Sequence, residues 1–231
     1  KFIFFKPMKC AGSSVEFSFL QVCSEGALCT GGTPEEIEQG YTQRNNVFIE
    51  AGEEKYRFLS HTWPDLFFER IAHKNWDSHT KISMVRNPWD TLVSWYWWSM
   101  AATPESEILI NPTDRQADAA YKFERFVNLV CPHDSLRTDS LKVTCTPLDY
   151  VATVNESFVD ASIDTFIRYE NLQEDYERTC KQLNLEAVPL RKFKTKQRYI
   201  RHHYSYYYND YTENAVRQKF PKTIERFDYW F

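Results

Sequence analysis

In the opening stretch KFIFFKPMKCAGSSVEFSFL, Lys9 stands just ahead of a small-residue turn, Cys10-Ala11-Gly12-Ser13-Ser14, and apolar runs bracket both. That combination suits an anion. A chain that leaves a strand, turns on small residues and enters a helix presents unpaired backbone N–H groups at the positive end of the helix dipole. Gly12 lets the backbone approach a ligand, Ser13 and Ser14 add hydroxyl donors, and Lys9 adds a mobile positive charge. A nucleoside-triphosphate P-loop places its lysine after the glycines, whereas Lys9 precedes Gly12. A cysteine phosphatase would need an arginine where Glu16 stands, so Cys10 reads as a small filler residue rather than a nucleophile.

A second anion grip lies in Ser83-Met84-Val85-Arg86-Asn87-Pro88-Trp89-Asp90-Thr91-Leu92-Val93-Ser94. Arg86 ends an apolar run, and open α/β sheets bind ligands at the carboxyl ends of their strands. A guanidinium there can hold a phosphate with two parallel hydrogen bonds. Ser94, roughly two helical turns beyond, can add a hydroxyl to the same group. Asp90 reads as a first-turn carboxylate that supports the helix and the loop. A general base for an alcohol is supplied by His61, in Phe58-Leu59-Ser60-His61-Thr62-Trp63, because an imidazole titrates near neutrality. Glu50, Glu53 and Glu54 are the alternatives. No carboxylate, His or Cys cluster has metal-ligand spacing.

The order K-x-x-G-[ST]-[ST] resembles the 5′-phosphosulfate loop of sulfotransferases that use 3′-phosphoadenosine 5′-phosphosulfate (PAPS). Arg86 to Ser94 resembles that family's 3′-phosphate signature, V-R-N-P-W-D-x-L-V-S. Phe166-Ile167-Arg168-Tyr169-Glu170-Asn171-Leu172 is similar to its R-[YF]-E-[ND]-L segment, and Tyr204–Tyr208 through Ile224–Tyr229 to its closing helix, with Asp228 where a glycine is usual. The resemblance implies that Lys9 bridges the transferring sulfonate and the leaving oxygen, and that the backbone at Ala11, Gly12, Ser13, Ser14 and Val15 holds the 5′-phosphate. It implies that Arg86 and Ser94 hold the 3′-phosphate, that the basic and aromatic stretch Lys192–Tyr208 forms a lid carrying Arg198 and Arg201, and that His61 faces the acceptor. The implied reaction is metal-independent, in-line sulfuryl transfer from PAPS to a hydroxyl of a carbohydrate or small metabolite, leaving adenosine 3′,5′-bisphosphate. A kinase-like phosphotransferase and a non-catalytic adenosine-phosphate-binding protein are the rival readings.

These groups need elements to carry them. Strands are expected at Phe2–Lys6, Tyr56–Ser60, Lys81–Val85 and Thr165–Arg168. Helices are expected from Ser13 or Ser14 as cap to about Cys23, over Pro64–His73, from Asn87 as cap to about Met100, over Ala117–Val130, over Leu172–Leu183 and over Glu213–Phe227. Glu25–Arg44 reads as a surface excursion and Cys131–Pro147 as a loop. Strands alternating with helices predict an α/β three-layer sandwich with a mostly parallel central sheet, the P-loop-NTPase-like fold that the resemblance also implies, in a single domain over residues 1–231. Within it, the run Trp95-Tyr96-Trp97-Trp98 suits core packing, with substrate stacking the alternative.

The bulk numbers fit that frame. With 231 residues, 42% hydrophobic and 26% charged, the chain can bury one sizeable core. A net charge of −4 argues against wrapping a nucleic acid but permits a local basic pocket. No apolar run is long enough to span a bilayer. The chain begins at Lys1; a preceding anchor would place the domain in the Golgi lumen, and its lack in the cytoplasm. Cys23/Cys29 and Cys131/Cys145 flank loops and suit either local disulfides or reduced thiols. Asn155-Glu156-Ser157 fits a glycosylation sequon.

Overall fold

The apolar start of the chain forms strand β1 (Phe2–Phe4), and the small-residue turn after it opens helix α1 (Gly12–Val22). The computed structural model describes residues 1–23, 48–51, 54–57, 76–133, 143–160, 162–191, 193 and 202–231. The expected helix over Pro64–His73, the whole of the Glu25–Arg44 excursion with Cys29, Glu53, His61, Arg198 and Arg201 lie outside them.

Chain order continues with β2 (Phe48–Ala51), β3 (Glu54–Arg57), β4 (Thr80–Val85), α2 (Pro88–Ala102), α3 (Gln116–Val127), β5 (Cys131–His133), β6 (Val143–Cys145), α4 (Pro147–Asp160), β7 (Thr165–Arg168), α5 (Leu172–Gln182), α6 (Asp210–Lys219) and α7 (Pro221–Phe227). The parallel sheet runs β1-β4-β7, with β4 between its neighbours: Phe4 pairs with Ile82, and Val85 with Arg168. All three strands therefore deliver their carboxyl ends to one edge.

Alternation along the strands splits the core into two layers. Ile82 and Met84 of β4 and Ile167 of β7 pack with Val15 and Phe19 of α1 and Tyr176 and Cys180 of α5. On the other side Phe5 joins Trp89, Leu92 and Tyr96 of α2, Phe123 of α3, Phe158 of α4 and Tyr207. Helices thus cover both faces of the sheet, the three-layer α/β arrangement that the strand and helix order predicts.

Four local expectations change. The strand placed at Tyr56–Ser60 begins earlier, at Glu54, and pairs antiparallel with β2, apart from the parallel sheet. The Cys131–Pro147 loop contains an antiparallel pair, β5 with β6, whose register sets Cys131 opposite Cys145. Helix α4 follows at once, and its start was written locally: the Thr146 hydroxyl accepts from the Asp149 N–H at 3.1 Å and donates to the Asp149 carboxylate at 2.8 Å, with Pro147 in the first turn. The single helix expected over Glu213–Phe227 is two, because Pro221 has no N–H to continue α6 and disfavours helical geometry at Phe220, which takes φ −119° and ψ 44°. Among the described residues no helix is long and apolar enough to cross a membrane.

Candidate active site

The turn after β1 is set by left-handed backbone. Lys9 has φ 60° and Ala11 φ 65°, conformations that cost a non-glycine residue roughly 1–2 kcal/mol each. Ala11, not a serine, is the N-cap of α1, and no side chain caps that helix end. Ser13 and Ser14 instead fall inside the first turn; the Ser14 N–H donates to the Ala11 carbonyl at 3.1 Å, while the Ser13 N–H belongs to the set that a helix start leaves open. Helix α2 starts differently: Asn87 caps it by accepting from the N–H groups of Trp89 and Asp90 at 3.0 and 3.2 Å, with Pro88 in the first turn as expected.

Gly12 owes its smallness to Lys6. A Cβ at Gly12 would lie 2.1 Å from Lys6 Cγ and 2.7 Å from Lys6 Cδ, and that lysine is itself buried and bonded to Glu16 at 2.6 Å. The pair fastens the strand end to α1 from below. Gly12→Ala must push the Lys6 stem off Glu16 or shift the helix, so it is expected to destabilise by about 3 kcal/mol. A denaturant midpoint unchanged from wild type would refute that packing argument.

Arg86, at the carboxyl end of β4, is buried and reaches across to the first motif. Its Nη1 donates to the Lys9 carbonyl at 2.7 Å. Its Nε and Nη2 donate to one Asp90 oxygen at 2.9 and 2.6 Å, and its guanidinium lies 3.8 Å from the Tyr169 ring centroid. Three of the five N–H donors of a guanidinium are thereby engaged within the protein. The neighbouring Glu170 accepts from the Asn87 N–H at 2.7 Å and from the Tyr229 hydroxyl at 2.8 Å, while Asn87 Nδ2 donates to the Trp230 carbonyl at 3.0 Å. Burial and the Glu170 carboxylate push the Tyr229 phenol well above its usual range, so it stays a donor. Four segments far apart in sequence, Lys9–Ser14, Arg86–Asp90, Arg168–Asn171 and Tyr204–Tyr229, therefore close on one sheet edge.

Cys10 is 1% exposed, and burial pushes its thiol up to about 12 despite nearby Arg86 and Lys9. It is a thiol at any ordinary pH and packs as a filler. The tryptophan run divides. Trp95, Tyr96 and Trp97 are buried in the core, whereas Trp98 is 38% exposed, stacks on Trp95 at 4.6 Å and has Lys9 Nζ 5.5 Å from its ring centroid. Ser94 sits half-buried on α2, in the same element as Asp90. Of the lid stretch, His202 stacks on Tyr206 at 3.9 Å and His203 Nδ1 lies 2.8 Å from the Ser205 hydroxyl.

The structure also gives roles to residues to which the sequence assigns none. Tyr169 and Glu170, present in the sequence only as part of the R-[YF]-E-[ND]-L resemblance, carry the contacts just given. Asn155 bonds the backbone of Met8, and its only local signal was the sequon, which has a structural use at every position: Glu156 accepts from Lys222 and Thr223, and the Ser157 hydroxyl donates to the Val154 carbonyl at 2.6 Å. Lys6 and Glu16 gave no signal at all.

No curated protein matches the chain. A solved structure similar to it is the crystal structure of a sulfotransferase from Alicyclobacillus acidocaldarius, at 14% identity and a TM-score of 0.39, covering 97% of this chain and 93% of that one. The model of the sulfotransferase family matches residues 1–228, nearly the whole length, and the chain belongs to that family.

Proposed function

We propose that this chain transfers the sulfuryl group of PAPS to a hydroxyl of a carbohydrate or small-metabolite acceptor without a metal ion. The observation that carries the reading is the 2.7 Å bond from Arg86 to the Lys9 carbonyl, which brings together the two segments read as anion grips. Membership of the family supplies sulfuryl transfer as the general chemistry. The residues present suit the donor: a helix start with no side-chain cap, a lysine before it, and a buried guanidinium with two N–H groups beyond those engaged.

In this reading the N–H groups from Ala11 to Val15, with the Ser13 and Ser14 hydroxyls, hold the 5′-phosphate. Arg86 turns its remaining donors to the 3′-phosphate, with Ser94 beside it and Arg198 and Arg201 in the lid. The S–O bond to the phosphate breaks as a new S–O bond to the acceptor oxygen forms, and the acceptor's proton passes to His61, or to Glu50, Glu53 or Glu54 in its stead. Lys9 stabilises the charge that gathers on the leaving phosphate oxygen, as a preorganised cation should.

Adenosine 3′,5′-bisphosphate at a hundredfold excess over its Kd is expected to stabilise the protein by about 2.7 kcal/mol, roughly 5–10 °C in a domain of this size, with ATP giving much less. Transfer of radiolabelled sulfate from PAPS to a panel of sugar and phenolic hydroxyls then completes the test. Equal stabilisation by ATP would point to a kinase-like site. Stabilisation by the bisphosphate with no transfer to any hydroxyl would leave a binding protein.

A further inference from the structure

Resting on that reading, we propose that Asn155 is a positioning residue for the reaction: its carboxamide holds the Met8 peptide so that Lys9 enters the site in its left-handed conformation. Asn155 belongs to α4, a helix that carries none of the motif residues, and it meets the loop across 147 positions of sequence. Its Oδ1 accepts from the Met8 N–H at 3.0 Å and its Nδ2 donates to the Met8 carbonyl at 3.2 Å. Both polar groups of one residue are thus read by one side chain, which fixes the orientation of the backbone as well as its position.

The next carbonyl, that of Lys9, is taken by Arg86 at 2.7 Å, so side chains from two other elements hold consecutive residues. Pro7, Cys10, Arg86 and Asn155 line one small cavity beneath the loop, and the Cys10 thiol adds a second donor to the Met8 carbonyl at 3.3 Å. Lys9 at φ 60° is a conformation that persists only where its surroundings over-determine it. Asn155 and Arg86 supply that determination. The amide nitrogen that a glycan would take at the sequon is therefore committed to the catalytic loop.

The test compares Asn155→Ala with Val151→Ala, a core truncation on the same helix that leaves both Asn155–Met8 hydrogen bonds in place. Both variants lose thermal stability. Asn155→Ala is expected to lower kcat about 10²-fold, with KM for PAPS changed less, as a displaced catalytic group does. Val151→Ala should keep kcat within a few-fold. Asn155→Asp, which retains the acceptor for the Met8 N–H but sets a carboxylate against the Met8 carbonyl, should be no better than alanine.

The proposal is overturned if Asn155→Ala turns over normally, or if both truncations lose kcat in proportion to stability. If wild type neither binds adenosine 3′,5′-bisphosphate nor transfers sulfate, the functional reading fails separately. Amide hydrogen exchange at Cys10–Ser14 then decides the clamp, since Asn155→Ala must speed it and Val151→Ala must not.

Discussion

Lys9→Ala is expected to cut turnover with PAPS by about 10³-fold while the thermal midpoint stays within a few degrees of wild type. Removing one preorganised donor from a developing oxyanion costs roughly 10²–10³ in kcat, and the group here carries a full charge. The fold should survive because the loop is held by its backbone. The Lys9 carbonyl remains bonded to Arg86 and the Met8 peptide to Asn155, and an alanine leaves both untouched. The approach of its side chain to Trp98 is worth about 0.5–1 kcal/mol at a partly exposed site. Affinity for adenosine 3′,5′-bisphosphate should fall less than kcat, because the charge that Lys9 meets is greatest at the transition state. Near-normal turnover would remove Lys9 from the mechanism.

The parts of this site that sequence made legible are those whose physics is local. Arg86-Asn87-Pro88 announces a strand end, a cap and a first turn within three residues, and the structure finds each in place. Lys9 and the small residues after it announce a strand-to-helix turn, although the cap proved to be Ala11 in a left-handed conformation rather than Ser13 or Ser14. The start of α4 is equally local in Thr146-Pro147-Leu148-Asp149, although the loop-like composition of the stretch before it hides the signal. Proline at 221 likewise carried a break that helical periodicity alone concealed.

The rest depends on partners that no window contains. Arg86 and Lys9 are separated by 77 positions, Asn87 and Glu170 by 83, and Asn155 and Met8 by 147. Gly12 is the instructive case. Its residue type reads as room for a ligand to approach the backbone, and the neighbour that crowds it in the fold is the Lys6 stem, held by Glu16. A glycine in a phosphate-binding pattern can thus be required by the floor of the loop as well as by its ligand face.

Arg86 braces the loop and, in the proposed reading, also grips the 3′-phosphate, so Arg86→Ala is the second change expected to act strongly. The side chain is 5% exposed and bonds both the Lys9 carbonyl and Asp90, so truncating it strips a buried network of its cation. A loss of about 3–5 kcal/mol in stability is expected, most of it the cost of leaving Asp90 without that partner. Loss of the phosphate contact should separately weaken adenosine 3′,5′-bisphosphate by about 2–4 kcal/mol, roughly 30–1000-fold in Kd. The double variant Arg86→Ala/Asp90→Ala divides the two effects, because it removes the abandoned carboxylate along with the guanidinium. Calorimetry should find part of the stability restored in the double variant, and titration should find the bisphosphate still weak. If stability and affinity return together, Arg86 is a strut between the motifs and nothing more, and the 3′-phosphate must be held by other residues.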